Sequence, residues 1–419
     1  MNQRLKVLVC AYACSPVRGS EPGMGWQWVE AMSRYHDLWV LTEKDEFQAE
    51  VEAELARRPE LAERVRFFFI RKHRHRTLRK IWPPSFYWFY GRWHREAYKL
   101  AKRLHAEVGF DVVHQLNMIG FREPGYLWKL DAPFVWGPVG GTSNVPLRFA
   151  SVLGAGGFLF HLCRSALNAW HLRFRRRVKA ALGRADALIT ATSHARDAFL
   201  RVWGRDSVVI HDAGSAPLTD GDPPPRRGLA DRPLRLVFSG LHVTRKALPV
   251  VLEALAALSS GCCWHLDVLG SGPMTRSWRR RAARLGLEGR CMWHGWVAKA
   301  DAVRIVSQAD LLVFPSLNEG TPHAVLEALA TGVPVLCFDH CGQGDVVTPD
   351  CGVKVPVTTP ARAARDFARA IQDLAGRPAE RERLSRGAAA RSRELTWASM
   401  AEAMCRVYEQ AIERHRVNL

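Results

Sequence analysis

The chain has 419 residues, too many for a single hydrophobic core and enough for two domains of about 200 residues each. Hydrophobic residues make up 47% and charged residues 24%, a globular balance that excludes a mainly disordered chain. The formal charge of +19 calls for a polyanionic partner, whether phosphorylated substrates, an anionic bilayer or nucleic acid.

The opening LKVLVCAY reads as a buried first strand, not a secretory leader, because its apolar run is brief and a charged, Gly-rich stretch follows. SPVRGSEPGMG is then a Gly-rich turn, WQWVEAMSRY an amphipathic helix and DLWVLT a second strand. Further short apolar runs at 65–70, 111–115, 133–137, 187–193 and 207–214 alternate with helical stretches, the pattern of a doubly wound parallel sheet. The longest apolar stretch, SVLGAGGFLFHLC (151–163), is too short and Gly-rich to span a bilayer. APLTDGDPPPRRGLADRP (216–233) holds five prolines and little that packs, so it reads as a linker.

A second alternating half follows. LRLVFSG, HLDVLG, CMWHGWV, DLLVFPS and VPVLCFD are its strands, with a helix over 246–259 and another after GSGP (270–273). The closing WASMAEAMCRVYEQAIERH has apolar residues at helical spacing. These divisions give an N-terminal domain over 1–215, the linker 216–233, a C-terminal domain over 234–395 and a last helix over 396–419. The ten cysteines show neither CxxC pairs nor zinc spacing, and read as reduced thiols in cytoplasm.

The stretch EGTPHAVLE, Glu319 to Glu327, carries the chemistry. With Thr321 as N-cap, Pro322 at the first helical position and Gly332 as a left-handed stop, Glu319 falls on the loop before a helix and Glu327 on the helix itself. First-turn N–H groups and the helix dipole favour a phosphate, and a carboxylate beside them can hold sugar hydroxyls. Exposed surface acids would give the same spacing.

FPSLNEGTPHAVLEALATGVPVLCFDHCGQGDVV resembles the signature of retaining glycosyltransferase family 4, with its two glutamates separated by seven residues. LRLVFSGLHVTRKALPVVLEAL, LDVLGSGP, WHGWV, ALITATSHARDAFLRVWG and the final helix match the family's other segments in order. The resemblance implies an α/β GT-B fold: two Rossmann-like domains facing across a cleft, with the last helix crossing back to the first domain. It implies a metal-independent transfer from a nucleotide diphosphate sugar, with no further cofactor. Glu319 would bind the donor sugar and Glu327 the ribose. Gly320, Thr321, Pro322 and His323 would lie along the hexose and distal phosphate, and Lys246 would pair with the diphosphate. The chain departs from the pattern at Leu241, where the family places an arginine, and at Ala247, where it places a glycine; Arg245 is positioned to supply the missing charge.

In the first half, Gly23 and Gly25 of RGSEPGMGW line the donor cleft or simply make a tight turn, and Glu21 in that loop either caps the helix or reaches a hydroxyl. His114 ends a strand where the family carries a histidine near the reacting sugar; catalytic contact and a hydrogen-bonded core histidine both fit. Positions 71–103 hold eleven Lys/Arg against one Glu around WPPSFYWFYGRW, and 164–184 add seven Lys/Arg with no acid. Such interleaving suits single-stranded nucleic acid, an anionic bilayer or a plain solvated face. Because many members of the resembling family use lipid-linked acceptors, the expectation is a glycan or lipid-linked acceptor at the cytoplasmic face of an anionic membrane, with no nucleic acid partner. A nucleotide-sugar epimerase or a phosphorylase on the same scaffold is the rival.

Overall fold

The computed structural model describes residues 4–72, 85–215 and 232–418, so most of the expected linker and part of the 71–103 segment lie outside it. Two compact units emerge. The first comprises Met1–Thr142, Ala169–Asp212 and Trp397–Leu419; the second comprises Ser143–Asn168 and Ala213–Thr396.

The first unit is built on seven strands: β1 (Lys6–Ala11), β2 (Asp37–Glu43), β3 (Val65–Ile70), β4 (Val112–Asn117), β5 (Phe134–Val139), β6 (Ala187–Thr190) and β7 (Val208–Val209). They form one parallel sheet in the order β3-β2-β1-β4-β5-β6-β7. The second unit holds β8 (Leu234–Ser239), β9 (Trp264–Leu269), β10 (Cys291–Gly295), β11 (Leu311–Phe314), β12 (Val335–Phe338) and β13 (Gly352–Val355), parallel in the order β10-β9-β8-β11-β12-β13. Helices cover both faces of such sheets, which is why β4, β5, β11 and β12 are buried at every position and read as continuous apolar runs. In each sheet the strand order reverses once, at β1/β4 and at β8/β11. The crevice at the carboxyl ends beside such a reversal is where doubly wound sheets bind ligands.

The last helix, Trp397–Asn418, belongs to the first unit, as the sequence leads one to expect. Met400, Ala401, Met404, Val407, Tyr408 and Ala411, spaced by three and four, sit in one core cluster with Val7, Val9 and Trp28.

Elsewhere the structure differs from the sequence reading. The helix after β1 begins at Ser20, not Trp26, and absorbs the glycine-rich turn. Pro22 is tolerated because first-turn N–H groups have no helical partner. β7 shrinks to two residues, and β13 appears where no strand is expected, its Lys354 paired with Asp339 at 3.0 Å. Residues 143–168 group with the second unit, not the first, because Val145, Phe149 and Leu153 pack with Leu248 and Phe338. The apolar 151–163 run is part of a longer helix, Ala150–Phe174, kinked at Gly154. With the preceding turn from Leu147 it is long and apolar enough to cross a membrane.

Candidate functional site

Three residues named from the sequence meet in the second unit. After β8 the chain passes Gly240 and forms a short 3-10 turn, Thr244–Lys246; after β11 it runs through Ser316 to Glu319. Because β8 and β11 are neighbours at the strand reversal, these two loops emerge side by side. Lys246 Nζ lies 2.8 Å from Glu319 Oε1, and the Arg245 guanidinium contacts the same oxygen. Ser316 Oγ donates to it at 2.6 Å. The turn is fixed from behind: Leu317 N donates to the Arg245 carbonyl at 2.8 Å, and Arg245 Nη1 donates to the Asn318 carbonyl at 2.8 Å.

Lys246 is buried, its ammonium 4.6 Å from the centre of the Phe314 ring. Burial pushes its pKa down against the pull of Glu319. Burial would likewise raise Glu319, but Lys246 and Arg245 together outweigh it and hold the carboxyl below its ordinary range. The cluster therefore carries two cations against one carboxylate, a net positive charge suited to a phosphate.

Glycines let the loops crowd this point. Gly240 has φ +151°, and a side chain there would come within 3.4 Å of Lys246 Nζ. Gly342 lies so close that a Cβ would overlap the Gly320 carbonyl oxygen. Ala247 adopts φ +46°, the left-handed conformation that makes glycine the expected residue there. Leu241, at the position of the family arginine, is half exposed; Arg245 supplies the second cation from the far end of the loop.

The helix expected after Glu319 spans His323–Ala330, one residue later than the sequence reading, with Pro322 rather than Thr321 at the N-cap and Gly332 left-handed after its end. Pro322 has extended ψ, so it cannot be the first helical residue. Gly320 and Thr321 lead into the helix, and His323 is exposed at its start. Glu327 lies within the helix, and burial raises its pKa against the opposing charges of Lys299 and His323. Lys299, at the start of helix Lys299–Ser307, is a residue the sequence did not single out. A lone lysine after an apolar strand carries no motif, and only the fold brings it to Glu327.

The residues of the first unit fare differently. His114, in β4, is 2% exposed; its Nδ1 is 2.7 Å from the Tyr408 hydroxyl and its Nε2 2.6 Å from the Gly137 carbonyl. Burial lowers its pKa to about 4. Of the two readings open for His114, this geometry is the core histidine, a correction to the catalytic expectation. Gly23 and Gly25 lie inside helix Ser20–Ser33, where a Cβ would overlap the carbonyl oxygens of Arg18 and Ala13; both pack that helix against the loop after β1. Glu21 accepts from the Ile119 amide, and burial with nearby Asp212 raises its pKa to about 7.

Two parallel doubly wound sheets with a cationic site at the second sheet's reversal define the class: this is the GT-B fold of glycosyltransferases. Solved structures of similar shape include the lipopolysaccharide outer core galactosyltransferase WaaB (TM-score 0.63, 14% identity, covering 96% of this chain and 99% of that one). HepE of Anabaena in complex with UDP and glucose gives TM-score 0.60 at 16% identity over 96% and 99%. The family described as glycosyl transferases group 1 matches residues 224–391, a span that holds Lys246, Glu319 and Glu327. Among curated relatives, a D-inositol 3-phosphate glycosyltransferase of Xylanimonas cellulosilytica is 31% identical over 55% of this chain, and the amylovoran biosynthesis glycosyltransferase AmsK of Erwinia amylovora 28% identical over 29%. The matched stretches span 58% and 31% of these two relatives' own length.

Proposed function

We propose that the protein is a glycosyltransferase of family 4 type that moves a sugar, with retention and without a divalent ion, from a nucleotide diphosphate sugar to a glycan or lipid-linked saccharide. The reaction belongs to cell-surface polysaccharide or lipopolysaccharide synthesis at the cytoplasmic face of the membrane. The observation that carries this reading is the convergence of Lys246 and Arg245 on Glu319 at the β8/β11 reversal.

Departure of a nucleoside diphosphate builds negative charge on its leaving oxygen, and fixed donors aimed at that charge lower the barrier. Lys246 and Arg245 receive it, with the backbone at Gly320 and Thr321 and the helix start beside the distal phosphate. Glu319 holds the two cations in place and offers its other oxygen to the donor hexose. Glu327 takes the ribose hydroxyls, and Pro322 and His323 shape the hexose side. The first unit takes the acceptor. HepE is known with UDP and glucose, and WaaB is a galactosyltransferase of lipopolysaccharide; those names support the donor class and the pathway class proposed here.

A thermal-shift screen of nucleotide sugars tests the reading. The matching donor, at 100 times its dissociation constant, stabilises the protein by about 2.7 kcal/mol. No shift with any uridine, guanosine, adenosine or thymidine diphosphate sugar would remove it.

A further inference from the structure

The Ala150–Phe174 helix has its amphipathicity reversed. Beyond the kink at Gly154, the two buried residues are polar, His161 at 5% and Asn168 at 2% exposure, with Phe158 and Leu172 only partly buried beside them. His161 Nε2 lies 3.4 Å from Thr244 Oγ1, and Asn168 Nδ2 donates to Asn144 Oδ1 at 2.7 Å. The residues turned outward are apolar. Leu159, Phe160, Leu162 and Leu167 are between 38 and 63% exposed, and Cys163 is exposed among them. The three- and four-residue spacing continues to Trp170 and Phe174, both more than half exposed. A water-facing helix would place these the other way round, and contiguous exposed apolar surface marks a contact.

Charge selects the occupant. Between Asp131 and Asp186 the sequence has no carboxylate, while Arg148, Arg164, Arg173, Arg175 and Arg176 flank the stripe. An apolar strip with aromatic ends, flanked along the chain by arginines and no carboxylate, matches a leaflet of anionic phospholipid: acyl chains under the strip and headgroup phosphates at its edges. The polar inner face decides the orientation. His161 and Asn168 are tied to protein groups, so the helix lies in the membrane plane instead of crossing it.

We propose that this helix is the membrane anchor of the enzyme, inserting Leu159, Phe160, Leu162 and Leu167 into an anionic leaflet. The inference rests on the membrane part of the function proposed above and names the element responsible. It has a consequence for the donor site. A Cβ at Gly157 would lie 3.3 Å from Thr244 Cγ2, so the anchor seats directly on the turn that carries Lys246. An acceptor held in the leaflet is thereby brought towards the donor diphosphate.

The test is flotation with vesicles of phosphatidylcholine mixed with phosphatidylglycerol, against phosphatidylcholine alone, at low and high salt. It compares the intact protein with the variant Leu159→Ser/Phe160→Ser/Leu162→Ser/Leu167→Ser. An environment-sensitive fluorophore on Cys163, in a Cys263→Ser background, reports insertion. The expected result is binding to the anionic vesicles that weakens with salt, a blue shift at Cys163, and a loss of binding of roughly tenfold or more in the variant. Absence of flotation, equal flotation of the variant, or a dimer of the intact protein that the variant loses would each overturn the proposal. Thermal shift with nucleotide sugars, run on both proteins, separates the two claims. Vesicle binding without any donor binding sinks the enzyme reading and leaves the anchor; unchanged donor binding in the variant shows that it is folded.

Discussion

Substituting Lys246 by alanine isolates the charge the mechanism depends on. The lysine is one of three partners of Glu319 Oε1, with Arg245 and Ser316. Stripping a buried carboxylate of its only cation costs about 3–5 kcal/mol. Here Arg245 remains on the same oxygen, so a loss of about 1–3 kcal/mol is expected, a fall in Tm of roughly 3–9 °C for units of this size. The catalytic loss is separate. Removing one fixed donor from a leaving group costs about 2.7–4 kcal/mol of barrier, or roughly 10²–10³ in kcat. The assay is release of nucleoside diphosphate from the donor chosen by thermal shift, run well below the variant's Tm. Arg245→Ala, at a more exposed side chain, should lose less. If Lys246→Ala drops in Tm as calculated yet turns over at the wild-type rate, the lysine is only a structural counter-ion and the leaving-group argument fails.

Three further outcomes follow from the geometry. Gly342→Ala forces a methyl onto the Gly320 carbonyl; overpacking of this kind costs about 1–3 kcal/mol, and the displaced Gly320 should weaken donor binding in the same thermal-shift experiment. His114→Leu leaves the Tyr408 hydroxyl and the Gly137 carbonyl without their buried partner, at about 1–3 kcal/mol each by denaturant titration, while donor affinity stays unchanged; a large loss of affinity would restore His114 to the site. Glu21 has its pKa raised from 4.5 to about 7, so the folded state favours the protonated acid. Its contribution to stability is complete below about pH 4.5 and is lost as the pH rises through about 7, at most about 3 kcal/mol. Glu21→Gln should therefore gain stability over the wild type at pH 8 and gain none at pH 4; parallel Tm curves across that range would contradict the assignment.

Much of the fold was legible because buried parallel strands declare themselves as short apolar runs. LKVLVCAY, VRFFFI, LLVF and VPVLCF each became the expected strand within two residues. Boundaries set by backbone geometry were less visible. Helix Ser20–Ser33 starts within what looked like a turn because close packing of Gly23 and Gly25 on Arg18 and Ala13 stabilises it, and that packing partner is not local in pattern. β13, GVKV, is only four residues long, too short to carry a periodic signal.

For the site, the sequence by itself determined the chemical inventory. Two acids eight positions apart ahead of a Gly-x-Pro stop and a lysine beside an arginine after an apolar strand are written locally in the chain. Their meeting was decided by tertiary structure, since Lys246 and Glu319 stand 73 positions apart and only the adjacency of β8 and β11 brings their loops to one point. His114 shows the converse. Nothing near it in the sequence announces Tyr408, and a histidine's role depends on which groups occupy its two nitrogens. The Ala150–Phe174 helix shows it again. Composition recorded its apolar residues, but only the fold shows that the fully buried positions past the kink go to His161 and Asn168, which leaves Leu159, Phe160, Leu162 and Leu167 exposed.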